Sequence, residues 1–167
     1  VMGAGFIGLL FVQMLKAHGA NTVIVTEPVE LRREYAKKCG ADYVIDPTKE
    51  DVQKFVLDKT GIGVDYAIDV VGTQLKTGID AVRKGGKVLL FGINAKAKPE
   101  IPQGDITNKE VAVLGTWLAN TSFPRAVKVL ESGVLNVEQL ITHTFPLDKV
   151  EEGIEILGRG EGIEVLI

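Results

Sequence analysis

Short runs of β-branched and apolar residues alternate along the chain with stretches whose apolar positions recur every three or four residues. Val23-Ile24-Val25, Tyr43-Val44-Ile45 and Val88-Leu89-Leu90-Phe91 are apolar without interruption, the pattern of parallel strands covered on both faces. Ile7, Leu10, Phe11, Met14 and Leu15 instead fall on one helical stripe. These periods predict helices over about 6–18, 29–39, 50–59, 74–83, 123–132 and 148–157. They predict strands over 22–26, 42–45, 65–70, 86–92, 110–116, 140–145 and 163–167, with a loop through 93–108. Gly19, Gly40 and Gly85-Gly86 follow predicted helices, where a left-handed residue closes the last turn. Strand–helix alternation at this spacing implies right-handed crossovers. The expected fold is α/β, a doubly wound parallel six-stranded sheet in the order 3-2-1-4-5-6, with a helix–strand–helix–strand extension over 119–167.

Composition narrows the class. The 167 residues fit one domain, 46% hydrophobic and 25% charged, the balance of a globular α/β protein. A net charge of −3 gives no electrostatic attraction for nucleic acid or a membrane surface. No apolar run is long enough to span a bilayer, and no signal peptide opens the chain. The one cysteine, Cys39, suits a reducing compartment, so a cytoplasmic protein is expected.

The chemistry-bearing motif is Gly3-Ala4-Gly5-Phe6-Ile7-Gly8 at the head of the first helix. Gly3 permits the strand-to-helix turn. Gly5 lets the backbone approach a pyrophosphate, and Gly8 lets the helix pack close to the sheet, as in a Rossmann dinucleotide site. The pyrophosphate then sits on free N–H groups at the helix N-terminus. Such a fingerprint needs a strand before it, and only Val1 and Met2 are present to form one. A longer protein, cut at or inside its first strand, is therefore expected. Glu27 ends the next apolar strand, about twenty residues on, where an acidic residue binds the ribose hydroxyls. A carboxylate there repels a 2′-phosphate, so NAD is expected over NADP, although Arg32 and Arg33 nearby could accommodate a phosphate. Gly72 and Gly92 end two further strands on the same side and are candidates for lining the cofactor crevice.

Nothing in the chain supplies the acid, base or metal that carbonyl or alcohol chemistry needs. His18, His143 and Cys39 have no metal-like spacing. Tyr35, Tyr43 and Tyr66 are followed four residues later by Cys39, Pro47 and Val70, not lysine. No catalytic or metal residue is assigned. A free-standing dinucleotide sensor is an alternative, opposed by the extension over 119–167. A methyltransferase is another, opposed by the third glycine.

Taken together, several segments resemble the cofactor domain of the medium-chain, zinc-dependent alcohol and polyol dehydrogenases, near the sorbitol and threonine branch. They are Val1 to Leu10, Glu27-Pro28 with Arg32-Arg33, Cys39 to Ile45, Asp69-Val70-Val71-Gly72, Gly85-Gly86-Lys87-Val88 and Thr142 to Leu147. The resemblance implies that Arg32 helps hold the adenosine ribose. It also implies that Val70, Val71, Leu90, Gly92, Gly115, Thr116 and Trp117 lie along the nicotinamide half. In that family the catalytic zinc and proton relay, and with them the alcohol substrate, belong to an N-terminal domain outside these residues. The 167 residues are then expected to bind NAD and do no chemistry alone. Phe6 stands where the family often has proline. Leu118 follows Trp117 where the sorbitol branch usually has arginine, which argues against a polyol.

Assembly is read from an edge. In the expected strand order 110–116 lies outermost, apolar apart from Glu110, whereas natural edges are guarded by charge, proline or a cover. The resemblance points the same way, and a symmetric homodimer through residues 98–118 is expected.

Overall fold

The computed structural model describes residues 1–118 and 121–167. Helix α1 (Phe6–Ala17) is followed by β1 (Ile24–Thr26), α2 (Glu30–Lys38), β2 (Tyr43–Ile45), α3 (Val52–Thr60) and β3 (Val64–Asp69). Then come α4 (Leu75–Ala81), β4 (Val82–Leu90), α5 (Gln103–Thr107) and β5 (Ala112–Gly115). The extension contains α6 (Phe123–Glu131), β6 (Ile141–Thr144), α7 (Val150–Arg159) and β7 (Glu164–Leu166).

All strand pairs are parallel: β1 with β2, β3 with β4, β4 with β5, and β6 with β7. Among the described residues the regular ladders group as two, three and two strands, so regular pairing alone does not establish the single six-stranded sheet expected. The expected first strand is reduced to isolated bridges from Met2 to Thr26 on one side and to Asp69 on the other. Its backbone bonds are nonetheless those of a central strand. Val1 N donates to Ile24 O and Gly3 N to Thr26 O, while Met2 N donates to Ile68 O (2.7, 2.9 and 2.9 Å). Two residues before the fingerprint are too few for a ladder of their own.

Alternation along β1 sends its side chains to opposite faces. Val25, with the neighbouring Val23, packs with Leu9 and Val12 of α1 and Ala36 of α2. Ile24 packs with Val56 of α3 and Ala81 of α4. Helices thus cover both sides of β1, as expected of an uninterrupted apolar strand, whereas Tyr43 and Phe91 in the other two apolar runs are exposed. The extension rejoins the first of these faces. Leu140 and Ile163 belong to the α1 cluster, and buried Gln13 on α1 clasps Asn136, accepting from its N at 2.7 Å and donating to its O at 3.2 Å.

Two local expectations change. Gly85-Gly86 does not close α4, which ends at Ala81 and passes straight into β4. The register on β3 advances from Val64 to Tyr66 while β4 advances from Val82 to Lys87. The glycines sit in that bulge, Gly85 at φ +71°, because the extra residues need a backbone turn that a side chain resists. The loop 93–108 contains α5, a single turn whose five residues are too short to show a helical period.

Leu9 is fully buried at the point where α1, α2 and β1 meet. Leu9→Ala should cost about 2–5 kcal/mol of unfolding free energy, read from urea midpoints. Half-exposed Leu57→Ala on α3 is the control, with a cost below about 1 kcal/mol; equal losses would contradict this core.

Candidate functional site

The residues expected around a cofactor converge on one edge of the molecule, the carboxyl ends of the parallel strands. Gly3 turns out of the Val1–Met2 segment, Glu27 follows β1, Val70-Val71-Gly72 follows β3, Leu90 and Gly92 close β4, and Gly115-Thr116-Trp117 closes β5. In open α/β sheets this is the edge at which ligands bind.

The fingerprint glycines have separable geometry. Gly3 has φ +101°, and a Cβ there would lie 2.8 Å from Val71 Cγ2 and 3.0 Å from Val70 Cγ2. A Cβ on Gly8 would lie 2.1 Å from the Gly3 carbonyl oxygen, so α1 could not approach the turn. Gly5 differs: a Cβ there would meet nothing within 4 Å. Its smallness serves no packing inside the chain and leaves open space in front of the helix. Gly5 is also the N-cap of α1, with no side chain capping it and no acidic residue in the first turn. The first helical bond runs from Leu9 N to Gly5 O, which leaves the N–H groups of Phe6, Ile7 and Gly8 without a partner inside the helix. By contrast, α3 is capped by Asp51, which accepts from Lys54 N.

Glu27 is only 4% exposed. Its Oε2 accepts from Ala4 N at 2.8 Å and its Oε1 from Val29 N at 2.9 Å. The carboxylate therefore ties the fingerprint turn to the start of α2. Each oxygen accepts one bond and retains a lone pair. The two arginines beyond it part company. Arg33 donates to Glu27 O and Pro28 O and pairs with Asp46 at 3.3 Å, a brace within the protein. Arg32 Nε is buried with no partner, a donor left over for something else.

At the next strand end, Asp69 gathers the amides of Val71, Gly72 and Gln74 onto its carboxylate. Gly72 and Gly92 meet backbone to backbone, so that a Cβ on Gly92 would stand 2.4 Å from Gly72 N. Thr116 ties β5 to β4, its N and Oγ1 both donating to Leu90 O at 3.1 Å. Gly115 faces open space, and Trp117 is 70% exposed. Asp69, Asp46 and Gln13 are buried polar residues to which the sequence pattern assigns no role. Their signal was position alone for the two acids, each at a strand end; Gln13 lies off the stripe of Ile7, Leu10, Phe11, Met14 and Leu15, on the face of α1 that is buried with Gly8, Leu9 and Val12.

The remaining candidates have local duties. His18 caps α1, its Nδ1 2.9 Å from Met14 O. His143 lies 3.0 Å from Thr142 Oγ1 and stacks on Phe145. Cys39 is buried, and that burial pushes its thiol pKa up. Among the described residues no cluster of three His, Cys, Asp or Glu could hold a metal, and no helix is long and apolar enough to cross a membrane. A cavity of about 660 Å³ lies at the opposite, amino ends of β1 and β3, beside Val1, Thr22, Val64 and Tyr66. None of the expected cofactor residues lines it.

Comparison with known proteins agrees with this geometry. Residues 7–132 match the family model described as "Zinc-binding dehydrogenase". The chain belongs to the zinc-binding dehydrogenase family. It is 39% identical to L-threonine 3-dehydrogenase of Thermococcus kodakarensis, over 96% of this chain and 48% of that protein. It is 33% identical to sorbitol dehydrogenase of Ovis aries, over 100% and 48%. The family dehydrogenase therefore spans about twice the matched length, and this chain about half of the curated relatives. Among solved structures, a short chain alcohol dehydrogenase from E. coli CFT073 complexed with NADH superposes with a TM-score of 0.89 at 30% identity, covering 98% of this chain and 50% of that one. A zinc-binding dehydrogenase from Sinorhizobium meliloti 1021 bound to NADP gives 0.84 at 30%, covering 92% and 46%. The expected family, and the threonine and sorbitol branch within it, are the ones found.

The Arg33–Asp46 brace has a pH signature. The Thr48 hydroxyl and amide, with Lys49 and Arg33, hold the Asp46 carboxyl below its usual pKa. A depressed folded pKa stabilises fully above the unfolded value of about 4, and that stability is lost as pH falls through the lower folded value. Asp46→Asn should therefore destabilise at pH 6 and converge on the wild type as pH falls below about 4. Denaturant unfolding at the two pH values checks this; a gap unchanged by pH would contradict it.

Proposed function

We propose that this chain is the NAD-binding domain of a zinc-dependent medium-chain dehydrogenase that moves hydride between a secondary alcohol and NAD in the full-length protein. The observation that carries the reading is the uncapped N-terminus of α1 behind an open Gly5. The N–H groups of Phe6, Ile7 and Gly8 and the positive end of the helix dipole would hold the pyrophosphate. The free lone pairs of Glu27 would accept from the adenosine ribose hydroxyls, and Arg32, five residues on, would help hold that ribose. Val70, Val71, Gly72, Leu90, Gly92, Gly115, Thr116 and Trp117 would border the nicotinamide half and keep water from it. When bound, NAD supplies the hydride acceptor. The zinc ligands, the proton relay and most of the alcohol pocket are assigned to the rest of the protein, and Leu118 argues against a polyol as the alcohol.

The two- and three-stranded sheets, with Val1–Gly3 between them, are read as one doubly wound six-stranded sheet ordered 3-2-1-4-5-6. The apolar residues Phe123, Val127 and Leu130 of α6 are exposed, which favours a domain covered by a further one over a free-standing sensor. The single buried cysteine suits a cytoplasmic protein.

Cofactor choice follows from Glu27. A 2′-phosphate about 4 Å from its carboxylate would meet about 1–4 kcal/mol of repulsion, so NAD should bind at least about tenfold tighter than NADP. Glu27→Ala should narrow the gap, and should also lower stability by about 1–3 kcal/mol through the stranded Ala4 and Val29 amides. Calorimetry showing the wild type binding NADP as tightly as NAD would overturn the assignment.

Assembly is the second part of the reading. β5 pairs with β4 on one side only, all four of its residues are exposed, and Val113, Leu114, Ile93 and Trp117 leave apolar surface around it. A symmetric homodimer through residues 98–118 would cover this edge. Light scattering should give twice the 18.0 kDa chain mass, and Val113→Lys should return the monomer. A monomeric wild type at micromolar concentration would refute the dimer.

A further inference from the structure

Asp69 is the most deeply buried charged side chain of the described residues, 1% exposed. Among those residues it has no lysine or arginine partner. Its charge is met instead by backbone: Oδ1 accepts from Val71 N at 2.8 Å and Gly72 N at 2.7 Å, and Oδ2 from Gln74 N at 2.7 Å. Its own carbonyl oxygen accepts from Phe91 N and Gly92 N at 2.9 and 2.8 Å, and its backbone bridges Met2. One residue thus joins the ends of the Val1–Gly3 segment, β3 and β4. Burying a carboxylate is costly unless its lone pairs are matched, and the three amides, all from one loop, match them.

That loop carries Val70 and Val71, the residues that stand against Gly3, with Val70 also against Gly8. Its far end, Gly72, at φ +88°, is pressed against Gly92 and Asn94. Both carboxylate oxygens are needed to hold it. Asparagine has the same shape but would turn an N–H₂ toward Gln74 N, donor against donor.

We infer that Asp69 is a positioning residue, whose carboxylate fixes the Val70–Gly72 loop against the fingerprint turn and so shapes the nicotinamide side of the crevice. This rests on the dinucleotide reading above. The adenosine side, built from Glu27 and Arg32 on the far flank of Val1–Gly3, does not depend on it.

Calorimetric titration of wild type and Asp69→Asn with NADH and with ADP separates the two halves. Asp69→Asn should weaken NADH about tenfold, about 1.4 kcal/mol, and leave ADP within about twofold. A general loss of structure would weaken both ligands alike, and that result, or an unchanged NADH affinity, overturns the inference. A wild type that binds neither ligand overturns the dinucleotide reading itself, and the inference with it. Should Asp69→Asn fail to fold, amide hydrogen exchange on the ligand-free wild type decides. The amides of Val71, Gly72 and Gln74 should exchange slowly despite lying in a loop, and exchange at the rate of unprotected loop amides overturns the inference.

Discussion

The proposed cofactor edge takes its position from one short extended segment, Val1–Gly3, hydrogen-bonded to β1 on one flank and to β3 on the other. Each such bond contributes about 0.5–1.5 kcal/mol net, but their number on both sides leaves the segment no alternative path. Gly3 then turns the chain with a backbone that a side chain would obstruct, and Gly8 brings α1 down onto that turn. The N-terminus of α1 is consequently left beside that turn, uncapped and with open space at Gly5. Remove the two-sided pairing and neither the helix dipole nor the glycines have a defined target.

Two buried carboxylates hold the loops around that segment. Glu27 binds Ala4 N and Val29 N, and Asp69 binds Val71 N, Gly72 N and Gln74 N. Neither makes an ion pair among the described residues. Backbone amides suit this task better than lysine or arginine, because they are fixed by the fold and cost no side-chain entropy. A third buried carboxylate, Asp46, is matched differently. Arg33 and Asp46 pair with each other, with Thr48 and Lys49 as further partners of Asp46. Buried charge at the strand ends is thus matched by backbone amides at Glu27 and Asp69, and by an amide, a hydroxyl and two cations at Asp46.

The C-terminal extension has two distinct surfaces. Leu140 and Ile163, with the Gln13–Asn136 clasp, seal it onto α1 and extend the core of the sheet domain. The Phe123, Val127 and Leu130 face of α6 stays uncovered. In the proposed reading that face is the one a further domain would cover.

By itself the sequence determined the alternation of strands and helices, the fingerprint at Gly3, Gly5 and Gly8, and the placing of Glu27 at a strand end. These are properties of periodicity and of turn stereochemistry, which act over a few neighbouring residues. Only the tertiary structure decided where the polar groups of that edge go. The period could not reveal that Gly85-Gly86 fills a bulge in β4 rather than closing α4, because the extra residues are defined by the register of β3 beside them. Nor could it reveal that Arg33 is spent on carbonyls and Asp46 while the adjacent Arg32 keeps a free donor. Asp69 and Gln13 looked like an ordinary acid and an ordinary helix residue. The Asn136 amide and carbonyl meet Gln13 only when the extension packs on α1, and the amides that Asp69 binds, two to five residues on, face it only in a turn that the β3–β4 pairing holds in place; a buried polar group takes whichever partner the fold brings within about 3 Å.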